Sequence, residues 1–394
     1  MQEVVIVGAK RTAIGSFLGS LKNTSAVELA EIVARDVLQN ANLGANAVSE
    51  LILGQILQAG LGQNPARQVA LKVGMREESG AFTINKLCGS GLKAIALAAQ
   101  SIALGEQDII LAGGAENMSL SPFLLDNVRS GYKMGDRNIT DSMIKDALTC
   151  AMNGYHMGIT AENLAKKYGI SREEQDAFAL QSQQKAARAI ESGRFKDEIT
   201  PVILKSKKGE SEFATDEFVK TDISIESLAK LRPAFDKDGT VTAGNASGIN
   251  DGAAMVLVMS KAKAKELGLP ILCTIKATAS VGVDPSIMGI GAAMAAKKVL
   301  ANVNMSIDDM ELIEANEAFA AQSLACIKEL TPKTERLNVN GGAIALGHPV
   351  GASGARIVVT LLHEMIKQNK RFGLATLCIG GGQGIAAILE RSAS

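Results

Sequence analysis

Short apolar runs alternate with amphipathic stretches along the first 118 residues of the chain. Val4-Val5-Ile6-Val7 opens a strand over 4–8, apolar positions recur at helical spacing over 26–41, and 50–57 reads as a second strand before a helix at 65–73. A strand at 81–84, an alanine-rich helix at 92–104 and a strand at 108–112, ended by Gly113-Gly114, complete the run. Strands alternating with helices in this way predict an α/β layer structure.

The end of the chain repeats the order. Strands are expected at 272–277, 311–315, 337–340 and 374–377, and helices at 292–302, 317–330 and 354–366. Local matches recur at an offset that barely drifts: Glu50-Leu51-Ile52 with Glu311-Leu312-Ile313, Ser90-Gly91-Leu92-Lys93 with Ser353-Gly354-Ala355-Arg356, and Gly113 with Gly380. Two copies of one α/β unit packed together account for this. Between them the pattern breaks. Ser171-Arg172-Glu173-Glu174 is a capping-box start to a long helix through about 192, 201–218 reads as an exposed polar hairpin, and 253–259 returns to an apolar strand. The expected organisation is an N-terminal repeat at 1–118 plus 249–270, an inserted loop domain at 119–248 that carries ligand contacts, and a C-terminal repeat at 271–394.

Composition narrows the function. With 394 residues and 47% hydrophobic content the chain can bury a large core, and 41 basic residues balance 41 acidic ones. No net field attracts nucleic acid or an anionic membrane, so an anionic ligand must be held locally. No apolar run is read as long enough to span a bilayer, and the start lacks a charged leader and signal core, so a cytoplasmic protein is expected. The cysteines Cys88, Cys150, Cys273, Cys326 and Cys378 are scattered and never paired as C-x-x-C, which argues for free thiols and against a metal site.

Four segments carry candidate chemistry, each after an expected strand, where open α/β sheets place their sites. In Asn85-Lys86-Leu87-Cys88-Gly89-Ser90-Gly91, Cys88 stands where a strand turns into a helix. A helix N-terminus stabilises a thiolate, and the two glycines leave room for a ligand's close approach. That motif alone fits either a nucleophile or a buried cysteine acting as a small hydrophobe. His348, one of three histidines, lies between Gly347 and Pro349 in the corresponding turn of the second copy, and is read as a rigid, exposed base facing Cys88. Asn316-Glu317-Ala318-Phe319 and Cys378-Ile379-Gly380-Gly381-Gly382 are the remaining segments.

Together N-x-x-C-G-S-G, N-E-A-F-A, N-x-x-G-G-A-I-A-x-G-H-P-x-G-A-S-G and C-I-G-G-G resemble the thiolase family over nearly the whole chain. The resemblance implies a duplicated α/β core, layered α-β-α-β-α, with an inserted loop domain. Residues 151–158 and 242–248 look like the short-chain, biosynthetic branch, which implies acetyl-CoA C-acetyltransferase activity: two acetyl-CoA give acetoacetyl-CoA and CoA, and the reverse. On this resemblance Cys88 is the acetylated nucleophile, His348 its base and Cys378 the acid/base at the second acetyl-CoA. Asn316 holds a water at the enolate oxygen, and the N–H groups of Cys88 and Gly380 form an oxyanion hole. Ser247 and Ala243 meet the pantetheine arm, and His156, Met157, Phe235 and Phe319 line the channel. Met157 and Met288 bound the acyl pocket, and Lys220 stands near the adenine or phosphates. Several relatives carry arginine there, and lysine lacks its planar fork. Coenzyme A thioesters are substrates, with no separate cofactor and no metal implied. A homotetramer, a dimer of dimers with contacts from 119–143, is implied too. The alternatives are a 3-ketoacyl-CoA thiolase of broader chain length and a catalytically silent CoA-binding protein.

Overall fold

In the computed structural model, which describes residues 2–207 and 209–392, the long strands are β1 (Val4–Thr12), β2 (Glu50–Gly54), β3 (Gly80–Ile84), β4 (Ile109–Asn117), β5 (Asn250–Ser260), β6 (Cys273–Gly282), β7 (Leu312–Ala315), β8 (Phe372–Ile379) and β9 (Gln383–Glu390). The principal helices are α1 (Ala26–Asn40), α2 (Pro65–Val73), α3 (Ser90–Leu104), α4 (Met157–Tyr168), α5 (Arg172–Glu191), α6 (Gly291–Asn302), α7 (Ala320–Leu330) and α8 (Val350–Lys367). The strands run in the order β7-β8-β9-β6-β1-β5-β4-β2-β3. One half, β3-β2-β4-β5-β1, is repeated by the other, β7-β8-β9-β6, with β2 parallel to β4 as β7 is to β8, and an antiparallel pair following each. The two half-sheets are paired through β1 and β6 over two residue pairs, Val5 with Thr274 and Ile6 with Cys273.

Alternation along the strands sorts their side chains into three cores. Val5, Val7, Met255 and Leu257 pack outward with α1 and α2. Ile6, Ala254 and Val256 turn the other way and share a core with α3, α8 and Leu377, Ile379 and Ile385 of the second half. Leu374, Ala386 and Ile388 face α6 and α7. The fold is therefore the α-β-α-β-α sandwich, with α3 and α8 as its middle layer.

Several expected elements are altered. Residues 337–340 do not form a strand: only Leu337 bridges to Ile313. Asn338 adopts a left-handed φ of 42° and its side chain bonds both N–H and C=O of Ala315, replacing the ladder that β3 makes in the first copy. The helix expected from 317 starts at Ala320, because Phe319 is extended and the Glu317 carboxylate accepts from Ser182, Asn338 and the Ile344 N–H. α8 begins earlier than expected, at Val350. The strand expected to reach 57 ends at Gly54, since the N–H groups of Ile56 and Leu57 turn to Glu116. Leu87–Leu104 does have the length and hydropathy of a membrane span, contrary to expectation. Its buried face, including Leu92, Ile95 and Ile102, lies in the middle layer, and that burial accounts for the composition.

The inserted segment carries α4, α5, whose capping box forms as expected, and a hairpin of Val202–Ser206 with Gly209–Phe213, of which Lys208 lies outside the described residues.

Candidate active site

The turn before α3 is built by its own polar side chains. Leu87 sits at a φ of 46°, unusual for a branched residue, just before Cys88. Asn85 Oδ1 accepts from the Leu87 N–H at 2.9 Å, and Ser90 Oγ accepts from the Lys86 N–H and donates to the Leu87 carbonyl. Lys86 Nζ reaches Gln383 Oε1 at 2.6 Å, fastening the turn to β9. Gly89 and Gly91 do not make room for a ligand as expected. A side chain on Gly89 would strike Ile379, and one on Gly91 the Ala355 backbone on α8, so both serve helix packing.

Cys88 is half-buried, and burial pushes its thiol up to about 11. The Gly380 N–H and its own N–H hold it down, and Glu116 adds to the rise. The preformed thiolate expected from a helix N-terminus is not what this environment favours: desolvation outweighs the dipole. His348 is also not exposed, with 6% of its surface accessible. Burial and the Arg356 guanidinium drive its pKa down to about 3, so the imidazole is neutral. Its Nδ1 lies 2.6 Å from Ser353 Oγ, whose own proton goes to the Pro349 carbonyl. Ser353 therefore accepts, the proton sits on Nδ1, and Nε2 is left with a free lone pair. Asn250 Oδ1 accepts from the His348 N–H at 2.8 Å, and a Cβ on Gly347 would strike that same asparagine.

A cavity of about 490 Å³ is lined by Cys88, His348, Gly380, His156, Met157, Phe235, Met288, Phe319, Ser247, Ala243 and Lys220. It runs from exposed Lys220 and Ala243 to buried Met157, Met288 and His348. Two expected residues are not on its surface. Cys378, at the end of β8, is fully buried in the core that holds Met157, Met288 and Phe319, where burial and the neighbouring Cys88 and Cys326 push its thiol well above the usual value. Asn316 is inaccessible, and neither of its amide atoms has a protein partner. A buried amide in that state is suited to hold a water.

The channel wall is aromatic. His156 caps α4, its Nδ1 accepting from the Gly158 N–H at 3.0 Å, and its ring stacks on Phe235 at 4.6 Å, which meets Phe319 edge-on at 6.1 Å. Burial lowers the His156 pKa, so the ring presents Nε2–H as a neutral donor. The Ser247 N–H donates to the Ala318 carbonyl, tying this loop to the Asn316 turn. Lys220 Nζ lies 5.8 Å from the centre of the Phe218 ring.

Sequence reasoning missed part of the lining. Met118, Leu148 and Val350 also face the cavity and pack around Leu87 and Cys88. Leu148 ends a π-helical turn, Met143–Leu148, a rare form that recurs at functional sites and has no clear sequence signal. Ser353 was visible only as part of a motif.

Comparison with known proteins agrees along the whole chain. Residues 4–262 match the family "Thiolase, N-terminal domain" and 269–391 match "Thiolase, C-terminal domain". The chain is 60% identical over 392 residues to an acetyl-CoA acetyltransferase of Pseudomonas aeruginosa, covering 99% of this chain and 100% of that one. It is 58% identical to an acetyl-CoA acetyltransferase of Escherichia coli, with the same coverage. Among solved structures, the Bacillus anthracis acetyl-CoA acetyltransferase superposes with a TM-score of 0.97 at 46% identity, and human mitochondrial 3-ketoacyl-CoA thiolase with 0.97 at 43%, each covering 99% of both chains. On this evidence the chain belongs to the thiolase family.

Proposed function

We propose that the protein is an acyltransferase that joins two acetyl-CoA molecules into acetoacetyl-CoA and free CoA, and runs the reverse thiolysis, through an acetyl thioester on Cys88. The observation that carries the reading is the meeting of Cys88, His348 and Gly380 in one cavity, with the Gly380 N–H directed to the Cys88 sulfur and Cys378 buried beside them. The relatives' shared name supports the substrate.

In the resting site both partners are uncharged, thiol and imidazole, as burial requires. When acetyl-CoA binds, His348 Nε2 takes the Cys88 proton as the sulfur attacks the thioester carbonyl. Negative charge on the tetrahedral oxygen is met by the N–H groups of Cys88 and Gly380, donors worth roughly 3–4 kcal/mol each when preorganised. The C–S bond to CoA then breaks, and the Cys378 thiol protonates the leaving CoA thiolate, becoming a thiolate beside the His348 imidazolium. A second acetyl-CoA loses a methyl proton to the Cys378 thiolate. Its enolate oxygen is stabilised by His348 and by a water on Asn316, whose two unpartnered amide atoms leave it free for that task. The carbanion attacks the acetyl carbonyl, the bond to Cys88 breaks, and the His348 imidazolium returns its proton to the Cys88 sulfur while Cys378 keeps the methyl proton. Cys378 gives one proton to CoA and recovers one from the methyl group, and His348 takes and returns the Cys88 proton, so all three side chains end the cycle as they began.

Ser247, Ala243, His156 and Phe235 are assigned to the pantetheine arm, and Lys220 to the phosphate or adenine end as a point charge beside Phe218. Met157 and Met288, 7% and 3% exposed, close the acyl end together with Leu148. Thiolysis measured across chain lengths is expected to favour acetoacetyl-CoA, with kcat/KM falling as the acyl chain grows. Comparable values for a ten-carbon 3-ketoacyl-CoA would instead support the broad-range thiolase.

We assign the assembled state to a tetramer. Phe123, Met134 and Ile139 in the 119–143 segment are 61%, 90% and 62% exposed, more apolar surface than a free loop normally presents. The outer edge of β3, with Phe82 exposed, is a second open surface. Sedimentation equilibrium is expected to return four times the chain mass, and a dimer mass at working concentration would overturn this.

A further inference from the structure

Glu116 has no part in the chemistry above, yet it is a fully buried carboxyl that gathers three backbone N–H groups from two separate segments. It is the penultimate residue of β4. Oε2 accepts from the Ile56 and Gly351 N–H groups, both at 3.0 Å, and Oε1 from the Leu57 N–H at 3.1 Å. Gly351 is the second residue of α8, just beyond His348-Pro349, while Ile56 and Leu57 pack in the cluster that cushions Leu87 and Cys88. The N-cap of α8, Pro349, offers no side-chain acceptor, so the helix takes its acceptor and its favourable negative charge from the other repeat. The fit is close: a Cβ on Gly351 would lie 2.5 Å from Glu116 Oε2, and one on Gly114 would lie 2.2 Å from the Gly351 carbonyl.

We propose that Glu116, as a carboxylate, is a positioning residue that clamps the His348 turn and the cushion under Cys88 in one register, setting the distance over which the Cys88 proton passes to His348. This rests on the Cys88–His348 reading above. Ionisation suits this arrangement because both oxygens face N–H donors, two at Oε2 and one at Oε1, and a carboxylate only accepts. A protonated carboxyl would set an O–H against one of those N–H groups. The titratable groups facing Glu116 are Asp251 on β5 and Cys88 on the turn. The 55–57 segment presents Gln55, Ile56 and Leu57, and the first turn of α8 presents Val350, Gly351, Ala352 and Ser353, none of which titrates near neutrality. Burial pushes the Glu116 carboxyl up to about 7, the three N–H groups hold it down, and Asp251 adds to the rise. His348 near 3 and Cys88 near 11 leave Glu116 as the member of this trio that changes charge around neutral pH.

The test is the single-turnover rate of Cys88 acetylation by acetyl-CoA, followed by intact mass across the neutral range, for the wild type, Glu116→Gln and Glu116→Asp. The wild-type rate is expected to fall as pH drops through about 7. Glu116→Gln should be slower by on the order of 10–100-fold, the cost of misplacing reacting groups, with KM for acetyl-CoA little changed and the inflection gone. Glu116→Asp should keep the inflection and recover part of the rate. A Glu116→Gln enzyme with wild-type rate, or a slowed one that retains the inflection, overturns the proposal. So does a wild-type profile flat through neutrality, which needs no variant to fold. A wild type that never acetylates Cys88 removes the underlying site reading, and the clamp with it.

Discussion

Replacing Cys88 by serine is expected to lower acetyl transfer by on the order of 10⁴- to 10⁶-fold, as loss of a nucleophile does in other covalent enzymes. Two physical steps fail at once. A serine hydroxyl holds its proton far more tightly than a thiol, and His348, whose pKa burial and Arg356 depress to about 3, is a weak base in the resting site. Any acetyl-serine that formed would be an oxygen ester, a poorer electrophile for the second carbanion and a poorer leaving group in the condensation. The residues proposed to hold CoA are on other elements, so calorimetric binding of CoA should stay within a few-fold of the wild type. Retention of wild-type turnover by Cys88→Ser would remove the covalent mechanism. Loss of CoA binding along with turnover would show that the substitution had disrupted the turn, and Cys88→Ala would then serve as the comparison.

The turn that carries Cys88 is legible in the sequence because its polar residues serve the local backbone. Asn85 and Ser90 close hydrogen bonds within a few positions of themselves, so their spacing is the structure. The duplication is legible for the same reason: hydrophobic alternation sorts β1, β5, β8 and β9 between the middle core and the outer ones. Electrostatics at the site is not legible this way. A helix N-terminus contributes only about 0.3–1 kcal/mol at exposed sites, and the water removed around Cys88 and His348 is set by packing from both repeats. The lost strand at 337–340 has a similar origin. Leu337-Asn338-Val339-Asn340 alternates like a strand, but the Asn338 side chain takes over the pairing with Ala315. Glu116 carries no local signal, since its partners lie 59 to 235 positions away in the chain.

Arg11 is the extreme of that class and the site of the largest expected loss of stability. It is fully buried on β1, with Nε 2.6 Å from Glu198 Oε1 and a two-point contact to Asp216 at 2.7 and 2.9 Å, its Cζ 4.9 Å from the Phe195 ring centre. Burial alone would lower its pKa, but the two carboxylates outweigh that and hold it above the ordinary value. The same carboxylates reach further: Asp216 accepts from the Ile14 N–H, and Glu198 from Thr360 on α8. One guanidinium thus ties the inserted segment to the first strand and the central helix. Removing it leaves two buried carboxylates facing each other without a cation, so Arg11→Met is expected to cost about 3–5 kcal/mol, the range for breaking a buried ion pair. Arg11→Met/Asp216→Asn should cost less than the sum of its single changes, because one of the two uncompensated carboxylates is gone, with a coupling of about 0.5–3 kcal/mol. Denaturant midpoints of the four proteins, read with unchanged slopes, measure both quantities. Additive losses, or a single-variant midpoint equal to the wild type, would mean that the network adds nothing to stability beyond the packing of its methylenes.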